Sequence, residues 1–388
     1  MLGRCRPLSR YAHGRRVRQR SGSGIAAAAG VLAASGALLG AAQQPPPPEA
    51  LPDGVQRLLT VQDDRIAEAS GLAAGAAGGL LFVHEDAGRP AAVYALDDRG
   101  ALAFVVDVVG AENLDWEDLA TGTDEAGRPA LYVADIGDAA AVLKPAGQPP
   151  RRAFSLVRLA EPQAPAEPAE TRSPSSVPTV AAEDVATFPL EYSDARPRNA
   201  EALAVQPRTN RVFVIDKVGT GGRVTRLWVA PELLVAGVTN ALTALADLPM
   251  VEVSGAAFSP DGGLLAVRTP TTAYLWRVEG DDVAAAVRAA PVEVALPTQR
   301  QGESIAFTGD GRSLLVGSEG VRQAVFTVPL PPAVAPSAPT PAEPTAAPPR
   351  PSEGRTSPPP LTWALGGGAG LVACLLGGYV VQSWRRQR

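Results

Sequence analysis

Short runs of apolar and alternating residues fill the middle of the chain, and four such runs recur as a larger repeat. Each repeat opens with a segment that has Gly or Glu at its centre and small apolar residues after it. A run around a valine follows, then a run that carries an aromatic residue, and then a fourth apolar run. Runs of this length between turn residues predict β-strands.

The repeat occurs five times. Its opening segments are Ser70–Leu72, Trp116–Leu119, Ala200–Leu203, Ser254–Ala257 and Gly302–Ile305, and the valines that follow are Val83, Val133, Val214, Val267 and Val316. The copies lie about 50 residues apart, except that the second interval is about 30 residues longer. Four strands in a repeat of this period predict a β-propeller blade. The predicted fold class is therefore all-β, a propeller of about five, alternatively six, four-stranded blades.

Two further segments bear on the number of blades and on how the propeller closes. Glu161 to Asp184 is rich in Pro, Ala, Ser and Thr, so we predict a disordered insertion (161–184) rather than a sixth blade. The last copy has three strands before the composition changes to Pro, and Val55 to Val61 can supply its outer strand. Closure by strands from both ends removes free sheet edges. The propeller head is predicted to span residues 55–330.

The ends of the chain predict export and a membrane anchor. Seven arginines in the first 20 residues precede an uncharged Ala-rich stretch, as in a signal peptide (1–42), and a Pro-rich spacer (43–54) follows. After the head come a Pro-rich stalk (331–361), an apolar transmembrane helix (362–382) and a basic cytoplasmic tail (383–388). Twin-arginine export and an uncleaved N-terminal anchor are open alternatives. The predicted location is the cell membrane, as a single-pass protein with its head extracytoplasmic and its C-terminus cytoplasmic, and the head is outside under either alternative.

Charge and rare residues narrow the function. The chain has a net charge of −5, and the part between the seven signal arginines and the three tail arginines is more acidic, at −15. This acidity argues against a nucleic-acid partner. Cys5 and Cys374 lie outside the head, and His84 is its sole histidine, which we predict to be a partly exposed structural residue. A cysteine nucleophile and a zinc site with several histidines are therefore excluded.

Acidic residues are the candidate site. Because equivalent ends of the inner strands face the central channel of a propeller, their side chains should converge at one opening. The predicted ligand-binding residues are Glu117, Glu201, Glu303, Lys217, Arg268 and Glu319. Oxygen-rich clusters favour calcium, and the predicted metal ligands are Asp115, Glu117, Asp118, Asp135 and Asp138. Alternatively, the carboxylates accept hydrogen bonds from backbone amides or pair with the two cationic side chains.

Two motifs carry a resemblance to a known group. Asn113 to Ala120 reads N-L-D-W-E-D-L-A, and Leu131 to Asp138 reads L-Y-V-A-D-I-G-D. The pair resembles the motifs of a poorly characterised group of secreted or membrane-anchored bacterial β-propeller proteins of actinobacterial type. The later segments 199–203 and 301–306 are similar to that group's later blades. The resemblance implies a propeller fold and an extracytoplasmic location more firmly than an activity.

The sequence favours a binding module over an enzyme. We expect the acidic channel mouth to bind a surface protein, a cell-wall component or a small ligand, with calcium as a candidate cofactor. The first alternative is a calcium-dependent ester or phosphoester hydrolase, with Glu117, Asp118, Asp135 and Glu303 around the metal. The second is a structural surface scaffold.

Overall fold

The computed structural model describes residues 51–138, 151–165, 177–220 and 224–335. The predicted signal peptide, most of the spacer, nearly all of the stalk, the predicted membrane helix and the tail lie outside these residues. Within the described part of the chain, no helix is both long enough and apolar enough to cross a membrane.

The described residues form an all-β structure with one short helix. The strands of its first half are β1 (Gln56–Thr60), β2 (Ala69–Ala74), β3 (Leu81–Glu85), β4 (Ala92–Leu96), β5 (Leu102–Asp107), β6 (Trp116–Thr123), β7 (Pro129–Asp135), β8 (Phe154–Ala160), β9 (Thr179–Ala181) and β10 (Ala186–Tyr192). Those of the second half are β11 (Ala200–Val205), β12 (Val212–Asp216), β13 (Thr225–Val229), β14 (Asn240–Leu248), β15 (Gly255–Phe258), β16 (Leu264–Arg268), β17 (Thr272–Arg277), β18 (Val292–Ala295), β19 (Gly302–Phe307), β20 (Ser313–Ser318) and β21 (Ala324–Pro329). The helix, α1 (Val283–Ala286), lies between β17 and β18.

The strands pair in four sheets with a repeated order. One sheet runs β15-β16-β17-β18, a second runs β2-β3-β4-β5-β9, and a third runs β19-β20-β21-β1. The fourth has eight strands, because β6-β7-β8-β10 is joined to β14-β13-β12-β11 through a parallel contact between β10 and β14. Each stretch of four strands is antiparallel, so the sheets repeat one supersecondary unit.

One register recurs in every unit. The opening segment of each repeat lies at the start of the first strand of a unit, and its apolar residue pairs with the valine of the second strand. The pairs are Leu72 with Val83, Leu119 with Val133, Leu203 with Val214, Ala256 with Val267 and Ile305 with Val316. The predicted internal repeat is therefore confirmed at the level of individual strand pairs.

The first strands of the units pack against one another in a closed ring. β2 contacts β6 and β19, β11 contacts β6 and β15, and β15 contacts β19. A ring of inner strands with antiparallel partners extending outward is the architecture of a β-propeller. Large buried residues, including Trp116, Trp228 and Trp276, fill the space between neighbouring sheets.

The ring is closed by strands from both ends of the described chain. β1 pairs antiparallel with β21, as predicted for Val55 to Val61. The chain beyond the predicted end of the head at residue 330 continues in contact with it, because Val334 is buried in the same apolar cluster as Phe326. The closing strand and this segment cover the last unit.

The predicted disordered insertion contains ordered structure. β9 lies within residues 161–184 and pairs in parallel with Val105–Asp107 of β5. Val180 and Ala182 are partly buried against the apolar cluster between the first and second units, and these contacts favour the ordered segment together with its pairing to β5. The prediction of disorder was wrong for these residues, and residues 166–176 lie outside the described part.

Candidate functional site: the acidic mouth

One end of the channel is lined by acidic side chains. It is the end at which the inner strands begin and the second strands finish. We call this surface the acidic mouth, and it comprises Asp86, Asp115, Glu117, Glu201, Lys217, Glu303 and Glu319.

β-Bulges direct three of these glutamates. The pairing of inner and second strands shifts register around Glu117, around Glu201 and across Glu303. A bulge inserts an extra residue opposite one partner and re-aims its side chain. The same device in three units therefore brings three glutamates to one opening, whereas β15 pairs with β16 without a shift and has Gly255 at the equivalent place.

Three carboxylates form the tightest group in the mouth. One oxygen each of Asp86, Asp115 and Glu117 lie within 4.8 Å of one another. Asp86 follows β3, whereas Asp115 lies immediately before β6 and Glu117 is its second residue, so the group bridges two neighbouring units. Asp86 is partly exposed, and the other two residues are buried.

Glu117 is the most unusual member of this group. It is 5% exposed, and no donor among the described residues hydrogen-bonds to its carboxylate. Burial, followed by the charges of Glu201, Asp86 and Asp115, raises the pKa of Glu117 well above its ordinary value. Its backbone oxygen accepts a hydrogen bond from Ser70 Oγ, which fixes the strand at this position.

Asn113 holds the two loops of this group together. Its Nδ2 donates to the backbone oxygens of Glu85 (3.0 Å) and Asp86 (2.8 Å). Its Oδ1 accepts from the backbone N–H of Trp116 at 3.1 Å. The first motif residue therefore sets the distance between Asp86 and the carboxylates of β6.

The second motif braces the same group from the other side. Asp135 Oδ1 accepts from the backbone N–H of Asp115 at 2.9 Å, and its Oδ2 forms an ion pair of 2.6 Å with Arg151. Arg151 also donates to the Gly137 carbonyl, and its backbone N–H donates to the Asp138 carboxylate. Asp135 and Asp138 thus contact an arginine of their own loop and do not join the three carboxylates.

Gly137 leaves the space that these carboxylates occupy. A Cβ at this position would overlap Glu117 Oε1 and would lie 2.5 Å from Asp115 Oδ2. Any other residue here would displace both carboxylates, which explains the need for glycine in this motif.

Asp118 has a different role from its neighbour Glu117. It is 0% exposed, and its carboxylate accepts hydrogen bonds from the amides of Leu119 (2.8 Å), Leu203 (2.9 Å) and Ala256 (3.1 Å). These amides belong to β6, β11 and β15, so one side chain ties three inner strands. Burial raises the pKa of Asp118 well above its ordinary value, against the opposing effect of the three amides.

Glu201 is neutralised inside the mouth. Lys217 Nζ donates to its Oε2 at 2.9 Å, and Asn199 Nδ2 donates to its Oε1 at 2.7 Å. Burial lowers the pKa of Lys217, but the charges of Glu201 and Glu303 outweigh this effect and raise it. Lys217 therefore stays charged and neutralises the charge of Glu201.

Glu303 and Glu319 carry protons near neutral pH. Burial and the charge of Glu201 raise the pKa of Glu303 to about 7, and its Oε2 is buried without a hydrogen-bond partner. Burial and the charges of Glu303 and Asp86 raise the pKa of Glu319 to about 8. Both carboxyls would release protons if a cation were bound beside them.

Arg268 is buried below the acidic mouth and has a structural role. Its guanidinium donates to the carbonyls of Ser304 (2.7 Å) and Gly317 (3.0 Å) and to Gln299 Oε1 (2.8 Å). It is fully buried, and burial lowers its pKa to about 10. Arg268 was predicted to bind a ligand, but its hydrogen bonds instead connect β16 with β19 and β20.

His84 is completely buried, so the expectation of partial exposure was wrong. It lies in β3 beside Gly71, packs edge-on against Trp116 at 5.5 Å between ring centroids, and contacts the backbone oxygen of Glu85 through Nδ1. Burial lowers its pKa to about 4, so the ring is neutral at pH 7.

The structure therefore brings together most of the predicted site residues. Asp115, Glu117, Glu201, Lys217, Glu303 and Glu319 lie in the mouth, whereas Asp118, Asp135, Asp138 and Arg268 contact backbone groups or an arginine. Asp86 was missed as a site residue. A positional signal was available, because Asp86, Lys217 and Glu319 each lie three residues after the valine of their second strand.

The other end of the channel is apolar. A cavity of about 300 Å³ is lined by all five inner strands, with Leu119, Phe258, Ile305 and Phe307 among its walls and no charged side chain. Leu119 and Ala256, whose amides bind Asp118, lie in this wall, so Asp118 stands between the two ends.

Comparisons with known proteins add little to this geometry. No family model matches the chain, and a search of curated proteins found no match. Among solved structures, a gluconolactonase from Xanthomonas campestris, XC5397, is 16% identical, with 71% of this chain and 89% of that chain covered and a TM-score of 0.35. A glucose dehydrogenase is 14% identical (71% and 99% covered, TM-score 0.37), and the WD40 repeats of RRP9 are 10% identical (71% and 100% covered, TM-score 0.36). Similarities this low assign no activity.

Proposed function

We propose that this chain is a cell-surface binding module that takes up a cationic ligand or partner through the acidic mouth of a five-bladed propeller. The observation that carries the proposal is the charge imbalance of the mouth. Six carboxylates converge there, with Lys217 and the buried Arg268 as the cationic side chains of the described residues around them. Like charges held together in a partly buried site attract cations and raise one another's pKa.

The repeated unit supports a count of five blades. Five first strands make the ring, and each begins four antiparallel strands when β1 is counted with the last unit and β9 as an addition to the first. The long interval between the second and third copies contains the 161–184 segment instead of a further unit.

Exposed apolar residues around the mouth favour a protein partner. Val109 (64% exposed) and Leu114 (57%) lie on the loop that precedes Asp115, and Val321 (46%) lies two residues after Glu319. Val251 lies on a loop held to the Lys217 loop by a hydrogen bond from Glu252 N to the Val218 oxygen. Apolar contacts around a buried charged contact are typical of binding hot spots. A segment with Lys or Arg between apolar residues fits this surface.

The location belongs to the same proposal. The signal peptide, Pro-rich stalk and apolar C-terminal segment predicted from the sequence would hold the head outside the cell on a single membrane helix. A surface protein, a basic cell-wall component or a small cationic ligand would each meet the mouth in that location.

The hydrolase alternative has one observation in its favour. Glu303, with a pKa of about 7, is suited to donate or accept a proton at neutral pH beside the carboxylate group. Turnover of an ester or phosphoester panel that is lost in Glu303→Gln would support the enzyme, and its absence would support the binding module.

The test of the binding proposal uses the full chain and a pair of model peptides. We expect a peptide of alternating Leu and Lys to bind in a calorimetric titration and its Leu and Glu counterpart not to bind. At about pH 9, above the pKa of both carboxyls, the Glu303→Gln, Glu319→Gln double variant should bind roughly tenfold more weakly, a loss of about 1.4 kcal/mol. The control is Glu279→Gln, Glu293→Gln, which removes the same charge at exposed positions away from the mouth. Equal affinities for both peptides, or equal losses in both variants, would contradict the proposal.

A further inference from the structure

We propose that Asp86, Asp115 and Glu117 form a calcium site at the side of the acidic mouth. The inference deepens the proposed function, on which it rests for the role of the mouth, but it concerns a resident ion rather than the partner. Calcium binds oxygen ligands at about 2.3–2.6 Å, so ligands on opposite sides of the ion lie roughly 5 Å apart. Carboxylate oxygens within 4.8 Å of one another can therefore share one calcium ion.

The buried carboxylate of Glu117 is the second observation that points to a ligand. Glu117 is only 5% exposed, and its carboxylate is directed at Asp86 and Asp115. No described residue donates a hydrogen bond to this carboxylate. Burying a carboxylate without a donor or counter-ion is costly. Lys217 pairs with Glu201 instead. A cation bound by Glu117 together with Asp86 and Asp115 supplies the partner that the Glu117 carboxylate lacks among the described residues.

The site is braced before any ion enters. Asn113 fixes the loop of Asp86 to the start of β6, and Asp135 holds the backbone of Asp115. Arg151 holds the Gly137 carbonyl, so the glycine that faces the carboxylates is also fixed. Groups that orient metal ligands from behind contribute strongly to affinity.

The donor set fits calcium better than other metals. Three carboxylates are hard oxygen ligands, and they carry one charge more than a divalent ion neutralises. Asp86 is partly exposed, which leaves room for water to complete the six to eight ligands that calcium takes. The neutral ring of His84 is packed in the core and is not a ligand.

The test uses terbium, a calcium substitute whose luminescence is excited through a nearby indole. Trp116 lies between two of the ligands in sequence and should excite an ion at this site. In the full chain, treated with chelator and desalted, we expect saturable luminescence at one equivalent that calcium displaces.

Matched glycine variants localise the site. Gly137→Ala places a methyl group between Glu117 and Asp115 without changing charge, and its backbone φ is not positive. Gly219→Ala is the control, because its nearest neighbour would be 3.9 Å away. We expect at least a tenfold loss of terbium affinity in Gly137→Ala and no loss in Gly219→Ala.

A second pair of variants covers the case in which Gly137→Ala fails to fold. Asp86→Asn removes one charge at the partly exposed ligand, and Asp98→Asn removes one at an exposed residue away from the mouth. Loss of terbium binding in Asp86→Asn alone would support the site. The inference is overturned if the parent shows no one-equivalent signal, or if Gly137→Ala and Asp86→Asn, both folded by circular dichroism, bind terbium as the parent does. Binding of the Leu and Lys peptide by the calcium-free chain would then leave the proposed function standing.

Discussion

At the scale of residues, neighbours in one motif have separate structural roles. Glu117 occupies a bulge and is turned into the mouth, whereas Asp118 returns to the strand register and binds three amides. Sequence could place both at the channel, because the repeat marks the start of each inner strand. It could not show that a one-residue bulge sends their carboxylates to different partners, since bulges are not encoded in the apolar pattern.

Asp118→Asn should destabilise the fold. An asparagine side chain presents an NH₂ group to amides that are themselves donors, so at least one buried donor loses its acceptor. We expect the free energy of unfolding in urea to fall by about 2–4 kcal/mol. Asp98→Asn, at an exposed position, should change it by less than about 0.5 kcal/mol. A similar small effect in both variants would show that Asp118 does not tie the strands.

Glu303 gives stability a definite pH dependence. Its folded pKa of about 7 lies above the ordinary value of 4.5, so the folded state holds more protons than the unfolded state between these values. The contribution of Glu303 to stability is therefore fully present below about pH 4.5 and is lost as pH rises through about 7.

Glu303→Gln should remove part of this loss. In chelator, the variant should be more stable than the parent by about 1–3 kcal/mol at pH 8.5 and should differ little at pH 5. Urea unfolding at both pH values measures the difference. A parent whose stability rises between pH 5 and 8.5, or a variant that tracks it throughout, would refute this assignment.

At the scale of elements, the strand order was accessible from sequence because every unit uses the same pairing. The spacing from Leu72 to Val83 and from Ile305 to Val316 fixes a hairpin, and the register follows from which residues are apolar. β9 could not be predicted in this way. It has three residues in a Pro-rich and Ser-rich stretch, and it forms because the edge of β5, in a different unit, offers a partner.

The closing strand β1 should contribute measurably to stability. Leu59 is buried in the cluster between the last and first units, whereas its neighbour Leu58 is 46% exposed. Leu59→Ala should lower the free energy of unfolding by about 2–4 kcal/mol, because it leaves a cavity in this interface. Leu58→Ala is the matched control and should cost less than about 1 kcal/mol. Equal effects would indicate that β1 is not packed into the ring.

At the scale of the whole molecule, the two ends of the channel have opposite chemistry. Carboxylates gather at one end and apolar walls line the other, with the amides bound by Asp118 between them. The sequence predicted the acidic end from the position of its glutamates and missed Asp86, whose importance depends on the contact of two neighbouring units through Asn113. Contacts between units follow from the closure of the ring, which a pattern along the chain does not specify.

The most direct test of the cation-binding mouth is unfolding of the full chain with calcium and with chelator. The parent should gain stability as calcium rises, by about 2.7 kcal/mol at a hundred times Kd, because calcium binds the folded state alone. The Glu117→Gln, Glu303→Gln double variant should show no such gain, and magnesium at equal ionic strength should stabilise the parent less. A parent that is indifferent to calcium, or a double variant that gains as much, would contradict a calcium site in the acidic mouth.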